Sequence, residues 1–117
     1  MSRAADLANI AGLVSTQTTS VTGSTTLDFD SFNNFVLTFT GDVTLANPST
    51  ELVGQSGFIA CIQDATGSRT LSLGTDFETQ HGGGITLSTA ASTTDIIPYI
   101  VIAANRIALG SPLRALS

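Results

Sequence analysis

No lysine and no tryptophan occur in this chain of 117 residues, and cysteine, histidine, tyrosine and methionine occur once each. Each shortage removes a class of function. The positive charge rests on Arg3, Arg69, Arg106 and Arg114 against a formal net charge of −5. Four scattered arginines make no basic stripe, so the counterion release that drives phosphate-backbone binding is missing and nucleic acid is excluded as a partner. Anionic membrane surfaces are excluded on the same ground. Cys61 has no second cysteine for an internal disulfide, and its place among Phe58, Ile59, Ala60 and Ile62 marks it as a buried small hydrophobe rather than a reactive thiol. One histidine and one cysteine are too few for a protein-only zinc site in one chain. No apolar run approaches the roughly 20 residues of a membrane helix. The N-terminus has one arginine and an apolar stretch broken by Asp6 and Asn9, a poor secretory signal, so synthesis and retention in a cytoplasm are expected.

Charge of both signs is scarce as well. Charged residues make up 11% of the chain against about 25% in ordinary proteins, while 42% is hydrophobic and much of the rest is Ser and Thr. The surface is therefore neutral and hydroxyl-rich, and weak self-repulsion allows close packing of many copies. The length suits one domain with a core that needs no disulfide or metal.

Periodicity divides the chain at about residue 26. Ser2 is placed to cap a short helix in which Leu7, Ile10, Ala11 and Val14 share one face, and Gly12 ends or frays it. Residues 15–26 are mostly Ser, Thr and Gly, which predicts an extended arm or weak edge strand. Residues 1–26 are thus expected as helix and arm, and 27–117 as the β domain. Leu27 and Phe29, then Phe35, Leu37 and Phe39, alternate with polar residues as strands with one buried face. Gly41-Asp42 predicts a turn before 43–45, and Asn47-Pro48-Ser49 ends that strand. Segments 58–63 and 69–73 flank Asp64-Ala65-Thr66-Gly67-Ser68 and predict a hairpin. A flexible loop, His81-Gly82-Gly83-Gly84, precedes a strand at 85–87. The run 96–104 reads as a strand covered on both faces, with Pro98 confining part of it to an edge or bulge, and 106–109 pairs with it through Ala104-Asn105. Short strands bounded by turn residues predict an all-β, single-domain antiparallel β-sandwich or jelly roll with a short N-terminal helix and arm.

Catalytic chemistry is thinly represented. His81 sits beside three glycines, a solvated place for a base that needs preorganisation. No nucleophile elbow, P-loop or dinucleotide fingerprint occurs. Asp28 with Asp30, and Asp76 with Glu78, place two carboxylates on one strand face. Either pair offers oxygen ligands to calcium, but neither has the ligand density of an EF-hand loop, and solvated edge protection is the usual role of such residues on a half-buried strand. No metal or cofactor is assigned. A hydrolase would need a carboxylate pair at catalytic separation, for which Asp76 and Glu78 are the sole cheap candidates.

The stretch Gly54-Gln55-Ser56-Gly57-Phe58-Ile59, followed by Gln63-Asp64-Ala65-Thr66-Gly67-Ser68-Arg69-Thr70-Leu71, resembles a module of tailed-bacteriophage structural proteins. Leu87-Ser88-Thr89-Ala90-Ala91, Asp95-Ile96-Ile97-Pro98-Tyr99-Ile100 and the opening Met1-Ser2-Arg3-Ala4-Ala5-Asp6-Leu7-Ala8-Asn9 are similar to it too. In longer relatives the module ends tail-fibre-like polypeptides. A module standing nearly alone resembles a head decoration, or cement, protein, and such proteins are commonly trimers that grip capsomer junctions. The resemblance implies a non-enzymatic virion protein on the outer capsid surface, made in the host cytoplasm. Its partners would be the major capsid protein and itself as a homotrimer whose apolar strand faces pack around the axis. The alternative is a tail- or head-fibre module that binds a receptor or carbohydrate; against it stands the shortage of exposed aromatic rings for sugar stacking. Two sets of residues are expected at contacts. Leu7, Ile10 and Val14 would dock the helix on the capsid or a neighbouring subunit, since an isolated helix of this length is marginal in water. Asp64, Thr66, Gly67 and Arg69 would shape a hairpin tip at an interface, Asp64 holding the turn and pairing with Arg69 while Gly67 takes the unusual dihedral.

Overall fold

The computed structural model describes residues 15–117. Eight strands, β1 (Thr16–Thr25), β2 (Asn34–Leu45), β3 (Ser56–Gln63), β4 (Leu71–Leu73), β5 (Phe77–Glu78), β6 (Thr94–Ala103), β7 (Arg106–Leu109) and β8 (Leu113–Leu116), form one sheet. Its order is β1-β2-β3-β6-β7-β5, with β4 on β2 and β8 on β6. A single 3-10 turn, Gln80–Gly82, is the one helical element among the described residues. The helix expected to carry Leu7, Ile10 and Val14 lies outside the described residues.

All-β content is as expected, but the antiparallel sandwich or jelly roll is corrected to one curled mixed sheet, a half-barrel. β2 runs parallel to β1, β3 and β4, β5 runs parallel to β7, and β6 is antiparallel to β3, β7 and β8. The reason lies in the connections. From β1 to β2 the chain returns through residues 26–33 alone, shorter than the dozen or more residues usual between parallel strands. It does so across the concave face, where Leu27 and Phe29 are each 3% exposed. Phe29 lies 5.2 Å, centroid to centroid, from Phe35 and from Tyr99. The Gln55 side chain donates to the carbonyls of Phe29 and Phe32 at 3.0 and 3.1 Å, and the Tyr99 hydroxyl donates to the Asn33 carbonyl at 2.7 Å. Through Leu27 and Phe29 the return segment replaces a second sheet as the lid of the core, with a buried ring contributing about 2–3 kcal/mol. Leu27 and Phe29 are therefore core residues, as expected, but of a turn rather than a strand.

Alternation placed Phe35, Leu37 and Phe39 correctly in the core, and Cys61, expected as a buried small hydrophobe, joins them there with Ile59, Ile97 and Val101. Residues 15–26, the expected arm or edge strand, supply β1, with Val21 its one buried residue. Gly41-Asp42 is no turn: β2 runs through it, and the β1 register slips between Val21 and Gly23 to absorb the extra residues. Ile85 and Leu87 pack on the core without forming a strand. Pro98 sits opposite Phe58 in β6, where β7 has ended and β8 has not begun. Its carbonyl accepts the Gly110 N–H at 2.8 Å across that gap, so the missing proline donor falls where the neighbouring strand breaks. The β6 face away from the core is not covered: Ile100 and Ile102 are 46% and 44% exposed.

Candidate functional site

The segment after β3 is the first candidate. β3 and β4 do not pair with each other as a hairpin; both lie on the same edge of β2, β3 along Phe35 to Phe39 and β4 along Val43 to Leu45. Residues 64–70 are thus a loop that leaves the sheet and rejoins it in the same direction. Asp64 organises it. Its Oδ1 accepts the N–H groups of Thr66 and Gly67 at 3.1 and 3.0 Å, and its Oδ2 accepts from the Arg69 guanidinium at 2.9 Å. The Arg69 hydrogen bond, helped by the two backbone donors, holds the Asp64 carboxyl below its ordinary range against the opposing effect of burial. Gly67 has φ of +74°, and Ser68 follows at +61°. Asp64, Gly67 and Arg69 are brought together here; Thr66 contributes its backbone N–H and an exposed side chain.

Two residues that sequence reasoning passed over anchor this end of the molecule. Gln63 is 3% exposed, and its side chain bonds the backbones of Arg69 and Ser88. Asp95 is 2% exposed and accepts the N–H groups of Ser88 and Ala115 at 2.7 and 2.8 Å. Burial pushes its carboxyl up, but these donors, with Arg114 nearby, outweigh burial and hold it below the usual carboxylate range. The signal that finds both is phase. Gln63 continues the buried series Ile59 and Cys61, and Asp95 the series Ile97, Tyr99 and Val101. A polar side chain on the core-facing phase must be satisfied by backbone.

The second candidate is a cleft of about 600 Å³ between β4, the turn after it, β5 and residues 79–85. Leu71, Leu73, Phe77 and Ile85 supply its apolar surface, and Ser72, Thr75, Thr79 and Gly82, Gly83 and Gly84 its polar one. The Thr79 hydroxyl accepts the Gly84 N–H at 2.8 Å and closes the glycine loop on itself. His81 is exposed at φ +58°, outside the cleft lining. Glu78 is the one carboxylate on the wall, and Arg106 holds it with two bonds of 2.6 and 2.9 Å. A second hollow of about 400 Å³ lies against Gly84, Ile85 and residues 109–112, and a third of about 170 Å³ lies between Arg69, Thr70, Ile85 and Thr89. Ile85 borders all three. The 64–70 loop and the cleft are therefore parts of one hollowed, largely uncharged surface.

The carboxylate pairs are used otherwise. Asp28 Oδ1 caps its own turn, accepting from the N–H groups of Asp30 and Ser31, both at 3.2 Å. Glu78 faces Arg106, and Asp76 is tied by its backbone to Asn47 and Ile107. Among the described residues no three His, Cys, Asp or Glu side chains gather as a metal site. Nor is any helix among them long and apolar enough to cross a membrane.

Compared with known families, residues 12–103 match the family model described as "Putative phage tail fibre C-terminal domain". No curated protein and no solved structure matches.

Proposed function

Because this chain belongs to the phage tail fibre C-terminal domain family, and is thereby a phage structural protein, we propose that it is a non-enzymatic fibre module that attaches the virion to a neutral glycan of the host surface. The surface around Ile85 is the observation that carries this reading. Its walls are hydroxyls, glycine backbone and short apolar patches, and its one carboxylate is already matched by Arg106. Such a lining hydrogen-bonds polyhydroxylated ligands and gives no field to attract a charged one. Phe77 is 6% exposed and offers no stacking platform, so single-site affinity is low and attachment depends on many copies acting together. The family also supports this fibre reading over a capsid cement bound to the major capsid protein.

Gly83 supplies the test. Its φ is −78° and an added Cβ would meet nothing closer than the Gln80 carbonyl at 3.6 Å, so Gly83→Trp fills the cleft without backbone strain. The purified chain is expected to bind host envelope polysaccharide in a glycan array or pull-down, and Gly83→Trp to lose at least tenfold in apparent affinity with an unchanged circular dichroism spectrum. Absence of glycan binding, together with co-sedimentation with undecorated heads, would replace this reading with the capsid one.

A further inference from the structure

Residues 84–87 line the hollows, and Ile85 borders all three, yet this segment pairs with no strand. Something other than a backbone ladder must fix it. Leu87, 6% exposed, anchors its middle in the core. The backbone on either side is held by three side chains. The Thr86 carbonyl accepts from the Arg114 guanidinium at 2.6 Å, the Ser88 N–H donates to Asp95 Oδ2 at 2.7 Å, and the Ser88 carbonyl accepts from Gln63 at 2.9 Å.

Two of these tethers involve β8. Arg114 reaches the segment directly. Asp95 reaches both at once, because its Oδ1 accepts the Ala115 N–H at 2.8 Å while its Oδ2 holds Ser88. Core burial does not explain β8: all four of its residues are exposed, Leu113 and Leu116 by 62% and 40%. Its backbone is bent instead. The register with β6 slips between Thr94 and Ile96, and Ala115 stands at φ +54°, a left-handed conformation that alanine seldom takes. A bulge of this kind re-aims a group off the ladder, and here the Ala115 N–H meets the carboxylate that also holds the wall of the hollows.

Given the adhesion reading, on which this rests, we propose that β8 is a strap that sets the wall at residues 84–88, and that Arg114 is a positioning residue for glycan binding. Neither Arg114 nor Ala115 lines any of the three hollows, so their effect on a ligand runs through the wall. Such coupling is reciprocal: a ligand that favours the placed wall must favour the fastened strap by the same factor.

Amide hydrogen exchange on the full chain, resolved by residue, tests this beside binding of oligosaccharide fragments of host envelope polysaccharide. Arg114→Ala should speed exchange of the Ser88 amide at least fivefold and weaken fragment binding about three- to tenfold. The thermal midpoint should hardly move, because the side chain is exposed. Arg114→Lys keeps a charged donor for the Thr86 carbonyl and should restore most of both. In the wild type, saturation with fragments should slow exchange of the Ala115 amide, which a strand that merely supports the fold would not show. Unchanged fragment binding in Arg114→Ala, or Ala115 exchange indifferent to saturation, overturns the strap and leaves adhesion intact. A wild-type chain that binds no fragment defeats the adhesion reading and the role of Arg114 in it together. Ser88 exchange unmoved by Arg114→Ala defeats the tether whether or not a glycan binds.

Discussion

The side-chain amide of Gln63 bonds the backbone of Arg69 in both directions, Oε1 accepting the Arg69 N–H and Nε2 donating to the Arg69 carbonyl, each at 2.9 Å. Nε2 also donates to the Ser88 carbonyl at 2.9 Å. One side chain thus substitutes for a missing strand partner and ties the 64–70 loop to the 88–93 loop. Gln63→Leu keeps the volume and leaves three backbone groups without their partner. The expected loss is about 2–4 kcal/mol of stability, read from urea denaturation as a lower midpoint at constant slope. A loss below about 1 kcal/mol would show that water replaces the amide and that the loop is held by Asp64 alone.

Gln63 also marks the limit of what the residue order disclosed. Alternation in Phe35, Leu37 and Phe39 identified the buried face of β2 but said nothing about the direction of its neighbours. Direction depends on where a connection ends, and the 26–33 return crosses the core in fewer residues than parallel pairing normally takes. For the same reason 58–63 and 69–73 looked like a hairpin, although both join β2. The Asp64 and Arg69 pairing was legible because it is local in sequence. The surface around Ile85 was not, because it draws on β4, β5 and residues 109–112, which only the curl of the sheet brings together.

Gly67 limits what the loop tolerates. At φ of +74° an added Cβ would stand 2.6 Å from the Thr89 carbonyl oxygen and 2.9 Å from the Ala91 nitrogen, so both the dihedral and the contact oppose a side chain. Gly54 has φ of +91° and no atom within 4 Å. Gly67→Ala is expected to cost about 2 kcal/mol or more and Gly54→Ala about 1 kcal/mol, the part due to backbone strain. Thermal unfolding of the two variants side by side separates the terms. Equal losses would mean that the 88–91 backbone yields freely to the loop.

Cys61 is 2% exposed, and burial, reinforced by the negative charge of Asp95, pushes its thiol up to about 12. At pH 8 almost none of it is thiolate, and reagent has no path to the sulfur. The folded chain should therefore react with a thiol-specific disulfide reagent orders of magnitude more slowly than the denatured chain, which should release one equivalent. Rapid labelling of the native protein would contradict a closed core between β2, β3 and β6.

Acid should loosen the half-barrel, and the sign follows from three carboxylates. Asp95 is held below its ordinary range because donors from Ala115 and Ser88 outweigh burial, Asp64 by Arg69 and Glu78 by Arg106. In each case the folded chain favours the ionised form more than the unfolded chain does. Their contribution is complete above the ordinary carboxyl range, about 4, and disappears as pH falls through the lower folded values. The unfolding midpoint should stay level from pH 8 to about 5 and decline below about 4. Asp95 dominates the decline, being the one of the three shut away from solvent, where its two accepted bonds compete least with water. Asp95→Asn turns one accepting oxygen into a donor that faces an N–H. It should cost about 1–3 kcal/mol at neutral pH and flatten the acid limb of the stability profile. If the variant instead kept the full acid limb, the partly buried Asp64–Arg69 pair and the exposed Glu78–Arg106 pair would be its source, and the clamp between β6 and β8 would not depend on ionisation.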